Sequence, residues 1–270
     1  MRAYLLSAML MLTAGPAVKA DELTVNGGFE SNGGAGSSTF AGWTVATQVG
    51  SGGNGFYVQT RTNSPFNGLP VAPPSQGSFA AMTDSSGPSS QALIQSFAVP
   101  GPGTLVLSFD YFLLDATDGA VDSALGLPPD SLDFNTFPNQ QARVDILSAG
   151  AGAFDLDASV LDNVLTASPL DLVGSSCFPA DCSYQHVSVD LTALLGAGAG
   201  NYQLRFAEVD NLGALIFGVD NVSLDFTPGT ATATSSDPGS LFLLLTVIAV
   251  VVGRQWSRYR TVAAGRRISD

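Results

Sequence analysis

The side chains of this chain that could do chemistry are mostly carboxylates. Its 270 residues include 23 Asp and Glu, 10 Lys and Arg and one His. Asp220 stands out among the acids because it alternates with Val222 and Leu224, apolar positions of a predicted strand. This alternation predicts a carboxylate on the core side, which must be paired with an arginine, hydrogen-bonded to backbone amides, coordinated to a cation or protonated.

Two further groups of reactive residues admit more than one interpretation. Cys177 and Cys182 flank a short Pro-bearing turn, which in an exported protein predicts a disulfide. The alternative is a metal pair with His186 as a further ligand. His186 with Asp190 and a serine could suggest a hydrolase, but no nucleophile elbow is present. We therefore predict an exposed strand position for His186 and no catalytic residue.

The charge balance excludes several functional classes. A formal net charge of −13 and a pI near 4.1 leave almost no positive surface, so the chain is not expected to bind nucleic acid. A single His excludes multi-His metal sites and most His-based relays. Hydrophobic residues make up 45% of the chain, which predicts a folded body rather than a disordered one.

The N-terminus has the features of a targeting segment. Met1 and Arg2 form a short basic start, and an apolar run follows from Ala3 to Leu12. The small residues Val18 and Ala20 then have the spacing that a signal peptidase accepts. We predict a signal peptide over residues 1–20, the alternative being a buried or anchoring N-terminal helix.

The C-terminus predicts a membrane anchor. An uncharged run from Leu241 to Gly253 is followed by five of the ten basic residues within the last 17 positions. The run predicts a single transmembrane helix at about residues 240–254, after a flexible linker over 228–238. The arginine-rich tail should stay cytoplasmic, so the body is expected outside the cytoplasm, at the cell surface or envelope. The alternative is a helix of a soluble core.

The arrangement of both ends resembles the bacterial PEP-CTERM sorting arrangement. The residues that carry the resemblance are Pro238, Gly239, Ser240 and Leu241, followed by the apolar run and the arginines. The family motif is Pro-Glu-Pro, and this chain has Ser236 and Asp237 where Pro-Glu would stand. The resemblance covers about the last 35 residues of the chain, which include the predicted sorting and anchor segment 239–270, and implies a sorting transpeptidase, an exosortase, as a partner.

The body, residues 21–227, predicts a single all-β domain. Helical periodicity is nearly absent, whereas several segments alternate apolar and polar residues. Such alternation with long irregular connections predicts a two-sheet jelly-roll sandwich. The candidate strands are Thr104 to Phe112, Gln141 to Leu147, Tyr184 to Leu191, Tyr202 to Phe206 and Val222 to Phe226.

The body also resembles the jelly-roll carbohydrate-binding modules of the galactose-binding-like fold. The resemblance is carried by the segment Val25 to Glu30, by Gly42-Trp43, by Leu105 to Tyr111 and by Val219 to Leu224. It implies that the first and last strands lie close together. It also implies one structural Ca²⁺ held by Glu30 and Asp220 together with backbone carbonyls. The alternative for Asp220 remains a cap on backbone amides or a pair with an arginine.

Sugar recognition needs exposed aromatic faces with convergent polar groups. Five aromatic residues are candidates by position: Phe56, Tyr57, Phe112, Phe137 and Tyr184. Trp43 is instead expected to pack beneath a sheet.

Together these observations predict an exported, anchored, non-enzymatic protein that binds extracellular polysaccharide. One alternative is a purely structural envelope protein without a small ligand. The other is an anchored glycan-processing enzyme, which would show two carboxylates about 5–9 Å apart across a cleft.

Overall fold

A computed structural model describes residues 19–66, 68–84, 87–115, 129–167 and 183–229. The compact unit that contains them ends at Gly229. Several predictions fall outside the described residues: the signal peptide except for its last two positions, the cysteine pair Cys177 and Cys182, most of the linker, and the C-terminal anchor.

Eleven strands and one short helix occupy the described residues. They are β1 (Asp21–Glu22), β2 (Thr44–Thr47), β3 (Tyr57–Gln59), β4 (Ala80–Met82), β5 (Ser89–Val99), β6 (Gly103–Asp115), β7 (Gln140–Ser148), β8 (Val160–Ala167), β9 (Gln185–Asp190), α1 (Thr192–Leu195), β10 (Gly200–Asp210) and β11 (Leu215–Pro228).

The strands form two antiparallel sheets. The first sheet has the order β3-β4-β11-β6-β9, with β1 also paired to β11, and the second has the order β2-β5-β10-β7-β8. From β5 onward the chain passes repeatedly from one sheet to the other, so neighbours within a sheet are rarely consecutive in sequence. This all-β, two-sheet arrangement is consistent with the predicted jelly-roll sandwich.

The alternation of apolar residues located five strands but not the 11-residue β5 or the 8-residue β8. Each of the five predicted segments overlaps an observed strand, namely β6, β7, β9, β10 or β11. The helix α1 has four residues, and no helix in the described ranges is long and apolar enough to cross a membrane.

The main core lies between the two sheets. Trp43 is 8% exposed and packs against Phe29 and Phe206 at ring-centroid distances of 5.4 and 5.9 Å, which confirms its predicted place beneath a sheet. Phe206 also contacts Phe109 of the first sheet edge-to-face at 5.4 Å. These aromatic contacts join the sheets across the core.

A smaller apolar cluster lies on the outer side of the first sheet. It comprises Tyr57, Val71, Ala72, Met82, Phe112, Leu114 and Ile216, with Leu69 and Tyr184 packed against it. Part of the long connection between β3 and β4 therefore covers this face instead of leaving it to solvent. The outer face of the first sheet is the surface on which the site described below is built.

Replacing Phe206 with Ala should lower the free energy of unfolding by about 3–5 kcal/mol, because the ring is fully buried between both sheets. The measurement is the urea midpoint at unchanged denaturant slope. The matched control is Val49→Ala, whose side chain is 96% exposed and should leave the midpoint unchanged. A loss below 1 kcal/mol for Phe206→Ala would contradict the core described here.

Candidate binding site

A β-bulge in β11 turns Asp220 away from the main core. Asp220 pairs with Asp110 of β6, and Ser223 pairs with Ser108, so β11 places two residues where β6 has one. Asn221, the first residue of the bulge, has a φ of 52°, in the left-handed region that bulges often use. The extra residue shifts the alternation by one position. The expectation that Asp220 points to the core side is therefore wrong, and its carboxylate lies on the outer face of the first sheet.

Asp220 is nevertheless fully buried, because the loop of residues 75–79 lies over it. One carboxylate oxygen, Oδ2, accepts the backbone N–H of Gln76 at 2.9 Å and the hydroxyl of Ser75 at 3.2 Å. The other, Oδ1, accepts the N–H of Asn221 at 2.7 Å. Burial raises the pKa of Asp220 to about 6, and the three hydrogen bonds oppose this rise.

Glu30 binds the C-terminal end of the same loop. Its Oε1 atom accepts the backbone N–H groups of Ser78 at 2.8 Å and Phe79 at 3.1 Å. Gly77, which directly precedes them, has a φ of 64°, and a Cβ at this position would lie 2.2 Å from that oxygen. Only glycine fits this approach. The structure thus brings Glu30 and Asp220, the two predicted metal ligands, to one five-residue loop.

Asp220 caps backbone amides, as the alternative interpretation expected, and the carboxylates of Asp220 and Glu30 also have the oxygen chemistry of calcium ligands. Both carboxylates supply hard oxygen atoms, and none of the ion pairs among the described residues includes either of them. No three His, Cys, Asp or Glu side chains in the described ranges are grouped so as to hold a metal. A calcium ion here would therefore complete its shell with backbone carbonyls and water.

His186 and Ser75 both bond Asp110, next to Asp220 in the first sheet. His186 of β9 lies opposite Asp110, and its Nδ1 is 2.7 Å from Asp110 Oδ1. The hydroxyl of Ser75 donates to Asp110 Oδ2 at 2.8 Å. The carboxylate thus lies between serine and histidine, so the imidazole is not positioned to take the serine proton. The imidazole is largely exposed, which confirms the predicted strand position of His186.

An open groove of about 690 Å³ runs along β3, the edge strand of the first sheet. Its lining consists of Ala35, Gly36 and residues 58–65, which include the polar side chains of Gln59, Thr60, Arg61, Thr62, Asn63 and Ser64. Phe66 follows the lining segment directly, is 41% exposed and packs edge-to-face on Tyr57 at 4.8 Å. An aromatic ring and several polar groups therefore occur on one short segment.

Arg61 differs from the other arginines of the body. Arg143 and Arg205 are buried and bond Asp145, whereas no ion pair among the described residues includes Arg61, which is exposed in the groove. The guanidinium has five donors in a rigid planar arrangement that suits hydroxyl or carboxylate oxygens. On a chain of net charge −13, this exposed arginine can donate hydrogen bonds to an oxygen-rich ligand.

Four of the five aromatic candidates for sugar binding are not exposed platforms. Phe56, Tyr57 and Phe112 are at most 1% exposed, because each packs in the main core or the smaller outer cluster. The Tyr184 phenol is buried, which raises its pKa well above its usual value, and nearby Asp220 adds to the rise. Phe137 is 71% exposed, as a sugar platform requires. Phe66, whose exposed ring adjoins the groove lining in sequence, was not among the candidates, because no local pattern distinguishes it in the sequence.

A cluster of charged side chains, formed by Arg143, Asp145 and Arg205, lies on the outer face of the second sheet and was also not predicted from the sequence. Arg205 is fully buried and donates to Asp145 through Nε at 3.1 Å and Nη2 at 2.7 Å. Its Nη1 donates to the carbonyls of Ala153 and Asp155 at 3.1 and 2.8 Å. Arg143 bonds the other oxygen of Asp145 at 3.1 Å. These bonds fix the loop around residues 153–155 over the sheet; the charges at alternate strand positions were the available signal.

Comparison with known proteins yields structural neighbours only. No protein-family model matches the chain, and no curated protein matches it. A family 61 carbohydrate-binding module solved with β-1,4-galactotriose is 10% identical, covering 76% of this chain and 97% of its own, with a TM-score of 0.43. The K3 cleaved adhesin domain of Lys-gingipain from Porphyromonas gingivalis is 14% identical, covering 78% and 100%, with a TM-score of 0.43. A family 11 carbohydrate-binding module from Clostridium thermocellum, in complex with a mixed-linked tetrasaccharide, is 12% identical, covering 79% and 98%, with a TM-score of 0.39.

The buried Asp220 should make stability fall as pH rises. Its pKa is about 6 in the folded chain, against 3.8 for an aspartate in water, so the folded state holds the proton more tightly. Its contribution is complete below pH 4 and is lost as pH rises through 6. Asp220→Asn should remove about 1–3 kcal/mol of this decline, measured by urea unfolding in EDTA between pH 4.5 and 7.5. The exposed Asp225→Asn control should keep the full decline; equal profiles for both variants would contradict the assignment.

Proposed function

We propose that this chain is an exported, membrane-anchored, non-enzymatic protein that binds an extracellular polysaccharide in the groove along β3. The observation that carries the proposal is the combination of an open groove, an exposed Arg61 and the adjoining Phe66 on one edge of the sandwich. Saccharide recognition combines an aromatic face with hydrogen-bonding groups that converge on hydroxyls.

The groove offers the donors and acceptors that a sugar chain needs. The side-chain amides of Gln59 and Asn63 are held by the backbone carbonyls of Arg61 and Gly68, respectively. These bonds orient part of the lining before any ligand arrives, which reduces the ordering cost of binding. Arg61 can donate to a hydroxyl pair or to a uronate carboxylate.

Two observations support binding rather than catalysis. The residues that line the groove include no Asp or Glu, so its described lining lacks the carboxylate pair of a glycoside hydrolase. Outside the groove, Ser75 and His186 are separated by the carboxylate of Asp110. A polysaccharide would therefore be held without being cleaved.

Removing either groove anchor should weaken polysaccharide binding about tenfold, which corresponds to about 1.4 kcal/mol. The variants are Arg61→Ala and Phe66→Ala, tested in the full chain against immobilised neutral, uronate-containing and amino-sugar polymers. Phe137→Ala is the matched control, because it removes an exposed ring that is neither part of the groove lining nor next to it in the chain.

The polymer classes separate the outcomes of this experiment. Binding confined to uronate polymers and lost in Arg61→Ala identifies an acidic ligand, and binding to neutral polymers identifies a hydroxyl-directed one. No saturable binding to any class would overturn the proposal in favour of a purely structural envelope protein. Loss of binding only in Phe137→Ala would place the site elsewhere on the body.

We further propose that Glu30 and Asp220 hold a structural Ca²⁺ that fixes the 75–79 loop. Two carboxylates that bind one loop without a basic partner support this assignment. Adding CaCl2 to the EDTA-treated chain at pH 7.5 should raise Tm by several degrees, because a ligand that binds only the folded state stabilises it. In Glu30→Gln the increase should shrink, whereas Asp225→Asn should retain it. An unchanged Tm in the wild-type chain would refute this metal site.

Export and anchoring are part of the same proposal. They rest on the apolar N-terminal run, the uncharged segment Leu241 to Gly253 and the arginines that follow it. In a bacterial host, protease added to intact spheroplasts should digest the body while the chain fractionates with membranes. Recovery of an intact chain in the cytoplasmic fraction would contradict the proposed localisation. A disulfide between Cys177 and Cys182 is proposed with it, since export places both thiols in an oxidising compartment.

A further inference from the structure

Four buried side-chain oxygen atoms at one end of the main core have no hydrogen-bond donor. They are both carboxylate oxygens of Glu208, Oδ2 of Asp210 and the amide oxygen of Gln91. All three residues are 0% exposed. A buried oxygen without a donor loses its hydration without compensation, so this group needs a partner that the described residues do not supply.

The strand register brings these oxygens together. Glu208 and Asp210 lie two positions apart on β10, on the face that carries core residues, and pair with Gln91 and Ser89 of β5. Directly paired residues on one face have Cβ atoms about 4.5–5.5 Å apart. The amide nitrogen of Gln91 donates to the Ser89 hydroxyl at 3.0 Å, and that hydroxyl donates to Asp210 Oδ1 at 2.7 Å. The remaining amide oxygen of Gln91 is left free beside Glu208.

Asp84 adds negative charge near this group, and the backbone at Gly87 lies close to Asp210. The charge of Asp84 raises the pKa of both Glu208 and Asp210, although burial is the larger cause for each. The Thr83 hydroxyl, which accepts the N–H of Phe217 at 2.8 Å, opposes the rise of the Glu208 pKa. A Cβ on Gly87 would lie 2.4 Å from Asp210 Oδ2, so the chain packs directly on this carboxylate.

No basic side chain of the described ranges balances this charge. Arg143 and Arg205 occupy the alternate positions of β7 and β10, on the opposite face of the sheet, where both bond Asp145. Two carboxylates and an amide oxygen, with no ion-pair partner among the described residues, form a set of hard oxygen ligands with a formal charge of −2. A divalent cation is the partner that such a set matches.

We propose that Glu208, Asp210 and Gln91 form a second calcium site, buried between the sheets. Glu208 would bind through both oxygens, with Asp210 Oδ2 and Gln91 Oε1 as the third and fourth ligands and water or backbone carbonyls completing the shell. Asp84 remains outside the shell, since no three acidic side chains of the described residues are grouped to hold one ion. Ca²⁺ suits this irregular set better than Mg²⁺, which demands octahedral geometry and retains its water.

The test is calcium titration by calorimetry on the EDTA-treated full chain at pH 7.5. Asp220→Asn serves as the parent, so that the loop site of Glu30 and Asp220 does not contribute. The parent should bind one Ca²⁺ per chain, and adding Glu208→Gln should weaken that binding at least 100-fold. Adding Asp225→Asn instead, at an exposed position of β11, should leave it unchanged.

Two outcomes would overturn the second site. One is a parent that binds no Ca²⁺ at pH 7.5, which would mean that the carboxyls are neutralised by protons. The other is a Glu208→Gln variant that folds and binds as the parent does. If that variant fails to fold, Gln91→Met provides the decision, because it removes one oxygen ligand without changing charge and should weaken binding at least tenfold. Unchanged affinity in Gln91→Met would then overturn the ligand set.

Discussion

A carboxylate that leaves water must gain a compensating partner, and this requirement shapes the body of the protein. Asp145 gains two arginines, and one of them, Arg205, also holds the 153–155 loop over the second sheet. Asp220 gains backbone amides and a hydroxyl, which hold the 75–79 loop over the first sheet. In both sheets, a buried acid thus determines how a long connection packs on the outer face.

The bulge at Asn221 connects this constraint to the site. If β11 continued as a regular strand through Asn221, Asp220 would share the face of Val222 and enter the apolar core, where backbone amides are already used by the sheet ladders. The bulge instead directs the carboxylate outward, next to Asp110 and beneath the loop. The same connection between β3 and β4 begins with the lining of the groove and ends with the 75–79 loop. The loop bound by the carboxylates is therefore connected along the chain to the groove lining.

Strand positions could be predicted from the sequence more fully than side-chain surroundings. Alternation over Thr104 to Phe112 located β6 because one face of that strand is apolar and contributes to the main core. The short strands β3 and β4 escaped detection, since three residues are too few for a period. The burial of Tyr57 and Phe112 also depends on the outer cluster, which forms only when residues distant in sequence meet. Likewise, the bulge at Asn221 reverses the face of Asp220. Its sign in the sequence is a change of parity, from the apolar Leu215, Phe217 and Val219 to Val222, Leu224 and Phe226, and alternation after the bulge alone does not show it.

The pairing of β1 with the end of β11 has a mechanical consequence. Asp21 lies opposite Phe226 in an antiparallel pair, so the chain enters and leaves the sandwich at the same end. Tension between these two points separates the two-residue β1 first, one bond after another, before any core contact is stretched. Tension along β11 alone acts on all its hydrogen bonds with β6 at once, because these bonds lie perpendicular to the strands. The first strand of the fold, β1, is thus weakly held, whereas the last strand, β11, resists shear.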